Sequence, residues 1–384
     1  MISLSVRHFK TLRFYFCKIV LFLYSFFIFL FLLASQSAIS QVNIDSLKDI
    51  VYQQKGEQKL RSIEMLTYHL QYLDVEEYHE FAKLGLEQAL ADRDSSYVAI
   101  FLVELGYYSK IKGDFQKALN NFNRARLIVE NKEYRKIASM VYTALGTLYH
   151  ELGFYDKALD FHSKSLVIKE ELKDRKEMGV SYNNIGLIYY KIDDANRAIE
   201  YFEKSIAIRL EYFDTARCIV PYINLGLAYS SLNGYENKSK SIACFKEAIR
   251  LSARYNQLYR VGFAYNGIAQ VHISSFNYDS ARYYLELSNS ESLKNNYKQL
   301  ESSNYFLLAK ICYQEQDYDN AISNLVKSQQ LLERQSDKQR LKNNFGLFSD
   351  IYAAQNMMDS AYYYQKMFSV MKDSIFNEKL ANNL

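Results

Sequence analysis

Residues 141–168 read VYTALGTLYHELGFYDKALDFHSKSLVI, and their spacing decides the fold. Leu145 and Gly146 are followed by Tyr149, then by Gly153 and Tyr155, and then by Ala158, Phe161 and Ser165. A small residue close to an aromatic, a breaker, and a second small residue twelve positions after the first describe two short helices packed antiparallel. Gly146 and Ala158 fall where the helices touch, because helix axes approach closely only over small side chains.

The same frame recurs along the chain. The first small position falls at Leu70, a poor match, then at Gly106, Gly146, Gly186, Gly226, Ala269, Ala309 and Ser349, in steps of 36, 40, 40, 40, 43, 40 and 40. The second falls at Ala82, Ala118, Ala158, Ala198, Ser241, Ala281, Ala321 and Ala361. Eight helical hairpins are expected, the first of them degenerate.

This frame, L-G-x-x-Y and then G-x-Y-x-x-A with an aromatic and a small residue after it, resembles the tetratricopeptide repeat. The resemblance implies an all-α, right-handed superhelical solenoid of helical hairpins. The step of 40 exceeds the roughly 34 residues usual for the family, so each helix is expected to gain most of a turn.

Composition agrees with a nearly all-helical chain. Among 384 residues there is one proline, Pro221, and only 13 glycines. An uninterrupted repeat array of this length reads as one elongated solenoid over residues 61–371 rather than as several globular domains. Tyrosine doublets at 107–108, 189–190 and 283–284, and the run 362–364, suit helices buried on one side with hydroxyls reaching water on the other.

Residues 1–40 stand apart from the repeats. Arg7, Lys10, Arg13 and Lys18 precede an apolar run over 19–34, and Ala38 and Ser40 precede Gln41. These are the parts of a secretory signal peptide cut after Ser40. The alternative is an uncleaved inner-membrane anchor, since a spanning helix needs roughly 20 apolar residues. Cys17 lies before the apolar run, so the lipoprotein arrangement is absent. Of 47 basic residues four lie in this segment, which leaves 43 basic against 43 acidic residues in a processed, exported chain. A neutral chain gives no support for binding nucleic acid, which rests on a surplus of Lys and Arg.

Cys218, Cys244 and Cys312 are odd in number and widely spaced, so free buried thiols are expected rather than a disulfide framework or a metal site. No glycine-rich phosphate loop, G-x-S-x-G or H-E-x-x-H is present. The six histidines lack ligand spacing; His162 takes a repeat position usually given to an aromatic, and His272 that of a core tyrosine. The expectation is a non-enzymatic protein with no cofactor and no metal.

Along the chain, a helical lead-in covers 41–60. A degenerate hairpin covers 61–92, with Leu66, Leu70, Phe81, Ala82 and Leu86 inward. Regular hairpins follow at 97–130, 137–171 and 177–211, and later at 260–293, 300–333 and 341–371. Gly113 and Gly153 supply left-handed residues after first helices. Asp114, Asp194, Asn277, Asp317 and the pair Asp359-Ser360 are the expected caps of second helices. The fifth hairpin is irregular: Pro221 stands early in its first helix, and NGYENKSK at 233–240 adds three residues, read as a local change of curvature or a projecting loop.

KDSIFNEKLANNL at 372–384 resembles the segment after the last repeat of exported bacterial tetratricopeptide sensors, where it opens a coiled-coil stalk toward a histidine kinase or regulator output. SYNNIG at 181–186 resembles the same group. The chain ends at Leu384 without stalk, second span or output, so a stand-alone sensory or adaptor module is expected, with a truncated remnant as the alternative. An intracellular peptide-responsive regulator is the other reading, and the leader speaks against it.

In the family, partner-facing residues lie three before, one after and four after the first small position. Carried over, these are Val103, Tyr107 and Lys110; Thr143, Thr147 and His150; Asn183, Leu187 and Tyr190; Ile223, Leu227 and Ser230; Asn266, Gln270 and Ile273; Phe306, Lys310 and Tyr313. Aromatic and amide groups dominate, and the Lys/Asn set that clamps a C-terminal carboxylate is missing. The resemblance thus implies a protein or peptide partner along a concave face, with a weak homodimer through the last helix as a further expectation.

Overall fold

The computed structural model describes residues 44–71, 73–130, 132–333 and 337–381. Residues 1–43, with Cys17 and the expected cleavage point, and residues 382–384 lie outside them. Among the described residues there is no strand, and no helix is long and apolar enough to cross a membrane. The chain divides into two compact units at Arg93/Asp94.

The first unit holds α1 (Ile44–Gln53), α2 (Gly56–Leu70) and α3 (Val75–Ala91). Helix α2 begins earlier than the repeat frame suggests, at Gly56 with φ +55°. Leu60, Ile63, Leu66 and Leu70 of α2 are buried, as are Tyr78, Phe81 and Ala82 of α3. Leu86 is only half-buried, because Gly85 occupies the close-packed position beside it. The Asp74 side chain accepts from the N–H groups of Glu76 and Glu77 and so caps α3.

The second unit is a solenoid of seven antiparallel hairpins: α4 (Ser95–Ile111) with α5 (Phe115–Val129), α6 (Arg135–Glu151) with α7 (Tyr155–Glu171), and α8 (Arg175–Lys191) with α9 (Ala195–Glu211). Next come α10 (Ile219–Ser231) with α11 (Tyr235–Arg254) and α12 (Val261–Ile273) with α13 (Tyr278–Lys294). The last two are α14 (Lys298–Gln314) with α15 (Tyr318–Glu333), and α16 (Lys338–Ala354) with α17 (Met358–Ala381).

Each glycine at the first small position faces a ring from its own second helix. A Cβ at Gly186 would lie 2.7 Å from the Phe202 ring, and one at Gly226 2.8 Å from Phe245. Gly106 faces Phe122 in the same way, and Gly146 faces His162. The second small position is as tight: Ala118, Ala158, Ala198, Ala281 and Ala321 have no exposed surface.

A column of serines ties the helices of a hairpin together. The hydroxyls of Ser165, Ser205, Ser288 and Ser328 donate to the carbonyls of Ser139, Gly179, Gly262 and Ser302, each 26 residues earlier, at 2.6–3.0 Å. A hydroxyl that would be costly to bury alone is thereby satisfied on the backbone.

In six hairpins of the second unit the turn after the first helix holds one left-handed residue. Gly113 and Gly153 supply it at φ +78° and +77°, but Asp193, Phe276, Gln316 and Asn356 occupy the same site with φ between 56° and 64°. Packing of the two helices therefore dictates the conformation whatever the side chain. Gln316→Gly is expected to stabilise the protein by about 0.5–1 kcal/mol, measured as a higher urea midpoint, because only glycine adopts this region without a Cβ clash.

Two sequence expectations need correction. The extra residues of the fifth hairpin form neither a projecting loop nor a longer turn. They extend α11, a 20-residue helix that starts six residues before Ser241, where α7 starts only three before Ala158. The Asp359-Ser360 pair is not a cap, since α17 begins at Met358 and both residues lie in its first turn. Pro221 is the third residue of α10, where its missing N–H is not required.

Candidate functional site

Within the second unit each first helix contacts the next first helix: α4 with α6, α6 with α8, and so on to α14 with α16. No second helix packs comparably on the next second helix among the described residues. First helices therefore form the more closely spaced side of this array.

The residues at the three family positions are not equally available. Val103 is fully buried, and Thr143, Asn183 and Asn266 are spent on internal bonds. Thr143 donates to the Ser139 carbonyl at 2.9 Å and meets the Ser165 hydroxyl at 2.8 Å. Asn224 donates to the Asn183 side-chain oxygen at 2.9 Å, which links the fourth hairpin of the repeat frame to the fifth. Asn266 donates to the Asn304 oxygen at 2.6 Å, and Asn304 in turn donates to Asn289 at 2.9 Å. These amides act as ties between hairpins, a role the spacing did not show.

The column one after the small residue is more open. Tyr107 is half-buried, its ring edge-on to Phe122 with centroids 5.4 Å apart. Thr147 donates to the Thr143 carbonyl at 2.9 Å, Leu187 and Leu227 are half-buried, and Gln270 and Lys310 are exposed. Gln270 donates to Asn266 at 2.7 Å.

The column four after the small residue brings Lys110, His150 and Tyr190 onto consecutive first helices. Lys110 pairs with Glu151 of the next hairpin at 2.7 Å and lies 5.7 Å from the Tyr107 ring. The His150 ring meets Tyr155 at 5.9 Å, and its Nε2 is buried without a hydrogen-bond partner. Burial first, and then the Lys191 and Lys110 ammonium groups, hold the His150 pKa below its ordinary value, so the ring is neutral near pH 7. Burial raises the Tyr190 hydroxyl. Tyr313 lies 6.3 Å from Tyr318, and Ser230 donates to the Leu227 carbonyl at 2.7 Å. Ile223, Ile273 and Phe306 are half-buried on the same helices.

Two polar groups the spacing did not single out sit deeper. Lys169 is buried with its ammonium 3.0 Å from the Ser181 hydroxyl and 3.3 Å from that of Thr143, and burial lowers its pKa. Arg209, forty residues on, takes the equivalent place with Asp214 at 3.5 Å. The repeat step itself is the signal that pairs them. Cys218 and Cys312 are buried free thiols, whereas Cys244 is half-buried and free. Among the described residues no three His, Cys, Asp or Glu side chains converge on a metal position.

These features define a class: an all-α repeat solenoid with one relatively continuous face built from first helices. The family model of the tetratricopeptide repeat matches residues 180–212. The chain is similar in fold to a Rap protein complexed with competence and sporulation factor, at TM-score 0.61, 13% identity, 84% of this chain and 100% of that one. It is similar to the apo form of RapI at TM-score 0.59 and 14% identity, over 73% and 99% of the two chains. A third similar structure is the Rap conjugation gene regulator of the plasmid pLS20 with the Phr* peptide, at 0.58 and 16%, over 87% and 95%. No curated protein matches in sequence. Residues 180–212 thus match one tetratricopeptide repeat, and the second unit is an all-α array of hairpins of this kind.

Proposed function

We propose that this chain is a non-enzymatic, exported tetratricopeptide-repeat module that holds a protein or peptide partner along its first-helix face. The observation that supports this reading is the unbroken succession of first-helix contacts from α4 to α16; on that face Tyr107, Lys110, Thr147, His150, Tyr190, Gln270, Lys310 and Tyr313 would be the contact residues. Thr143, Asn183 and Asn266 would support that face, Thr143 by a bond within its own hairpin and the two amides by bonds between hairpins. An extended solenoid face suits an extended ligand, since several repeats contribute contacts at once. The two Rap complexes, with competence and sporulation factor and with the Phr* peptide, support a peptide as the partner class.

The leader at 1–40 supports export, with anchoring by residues 19–34 as the alternative form, and the DSIFNE segment supports a sensory or adaptor role. A homodimer through α17 would be weak. Gln365 and Lys372 are exposed there, whereas the residues forty earlier, Leu325 and Leu332, are fully buried against the next hairpin.

Photo-crosslinking in cells tests the face. A crosslinker at Gln270 or Lys310 is expected to capture a partner that one at Lys164 or Lys204, on second helices, does not. Tyr107→Ala and Tyr190→Ala are expected to lower capture about tenfold, as losses of aromatic anchors do. Equal capture from both sets of helices would reject this face. Mass spectrometry of the N-terminus tests export: a start at Gln41 in the periplasmic or secreted fraction is expected, and an intact terminus in the cytosol would sink it.

A further inference from the structure

The solenoid edge formed by the helix-to-helix turns carries a second feature, at the repeat with the 43-residue step. The added helical turn at the start of α11 lifts Tyr235, which is 89% exposed, beside the end of α12. Its Lys238 crosses to the next turn, donating to the Ser274 carbonyl at 2.8 Å and to the Ser275 hydroxyl at 3.1 Å. Beside them Phe276 holds a left-handed backbone with φ +56° while 77% exposed. Glycine, Asp, Gln or Asn fills that turn position in the other hairpins of the unit. An exposed phenylalanine at a left-handed turn position also occurs at Phe213, after a second helix, so the ring is a surface feature of this edge rather than its signature.

Two adjoining clefts of about 550 and 480 Å³ lie at this edge and share Ile242, Lys246 and His272. Tyr235 lines one and Tyr283, 58% exposed, lines the other. At the floor His272 stacks on Tyr284 with centroids 5.6 Å apart and an interplanar angle of 9°. Among the described residues Lys246 is exposed and in no ion pair, and Lys238 is bound only to neutral oxygens. Against these two ammonium groups the lining contains a single carboxylate, Asp279.

We infer that this cleft is a docking site for an acidic peptide segment carrying an aromatic or leucine side chain next to its carboxylates. Tyr235 and Tyr283 would take the apolar side chain, and Lys246 and Lys238 the negative charge. The surplus of cations selects the sign of the ligand, and the concave aromatic lining favours an inserted side chain over a flat surface. A membrane surface is the competing occupant for exposed aromatics beside lysines.

The experiment uses the full chain and a fluorescein-labelled Asp-Glu-Trp-Leu peptide, followed by anisotropy. Saturable binding is expected, weakened about tenfold or more in Lys246→Glu and in Tyr235→Ala, and lost for the charge-swapped Lys-Lys-Trp-Leu peptide. Both substitutions are at the surface, and an unchanged circular dichroism spectrum controls for folding. No binding up to millimolar peptide, equal binding of the charge-swapped peptide, or unchanged affinity in Lys246→Glu would overturn the proposal. Co-sedimentation with phosphatidylglycerol vesicles that depends on Tyr235 and Phe276, without peptide binding, would overturn it in favour of a membrane contact.

Discussion

Gly186→Ala is expected to lower stability by about 2 kcal/mol, whereas Gly346→Ala is expected to raise it by up to about 1 kcal/mol. Both glycines lie inside helices, so propensity alone predicts the same gain for each. The difference is what a methyl group would meet. At Gly186 it would fall 2.7 and 2.8 Å from two atoms of the Phe202 ring, which is fully buried and cannot swing away. At Gly346 the nearest atom is Phe368 Cδ2 at 3.4 Å, an ordinary contact. Urea unfolding of the two variants checks the opposite signs. A gain at Gly186 would mean that helices α8 and α9 are not held at the distance described.

His162→Phe is expected to stabilise the protein, and more so in acid. His162 is 1% exposed, its Nδ1 has no hydrogen-bond partner, and it occupies the slot filled by Phe122, Phe202 and Phe245 in other hairpins. Removing a buried unsatisfied nitrogen is worth about 1–3 kcal/mol at neutral pH. Burial, then the Lys169 ammonium and His150, push the His162 pKa down to about 3. A histidine that is harder to protonate in the folded state lets the unfolded chain bind more protons between pH 6.5 and 3, so stability falls as pH falls through that window. Between pH 7.5 and 5 the loss from this residue is about 2 kcal/mol. The phenylalanine variant has no such group, so its urea midpoint should fall less over that range than that of the natural protein. Parallel pH profiles would show that the ring is solvated or paired.

Much of the fold was legible because a repeat fixes the same contact many times. The glycine and alanine columns at 146 and 158 and their equivalents mark helix contacts directly, and one copy confirms another. Turn conformation was legible at Gly113 and Gly153 but not at Phe276 or Gln316, where the neighbouring helices impose a left-handed backbone on residues that do not prefer it. The insertion at 233–240 was visible as three extra residues, yet whether they loop out or lengthen a helix depends on whether the added turn finds contacts. Lys238 finds them on the next hairpin.

The candidate site divides along the same line. Position within the repeat placed Tyr107, Lys110, His150 and Tyr190 on first helices, which periodicity alone can do. It could not show that Asn183 and Asn266 are consumed by Asn224 and Asn304, because those bonds join residues about 40 apart on different hairpins. Nor could it show the Lys169 ammonium among hydroxyls, or Tyr235, Lys238 and Lys246 meeting at one edge. The sequence by itself determined the helices, their pairing and the repeat step, since these rest on local spacing and on small residues where backbones touch. Only the tertiary structure decided which polar side chains are spent inside the array and which remain free to bind, because that depends on distances between hairpins that no single repeat encodes.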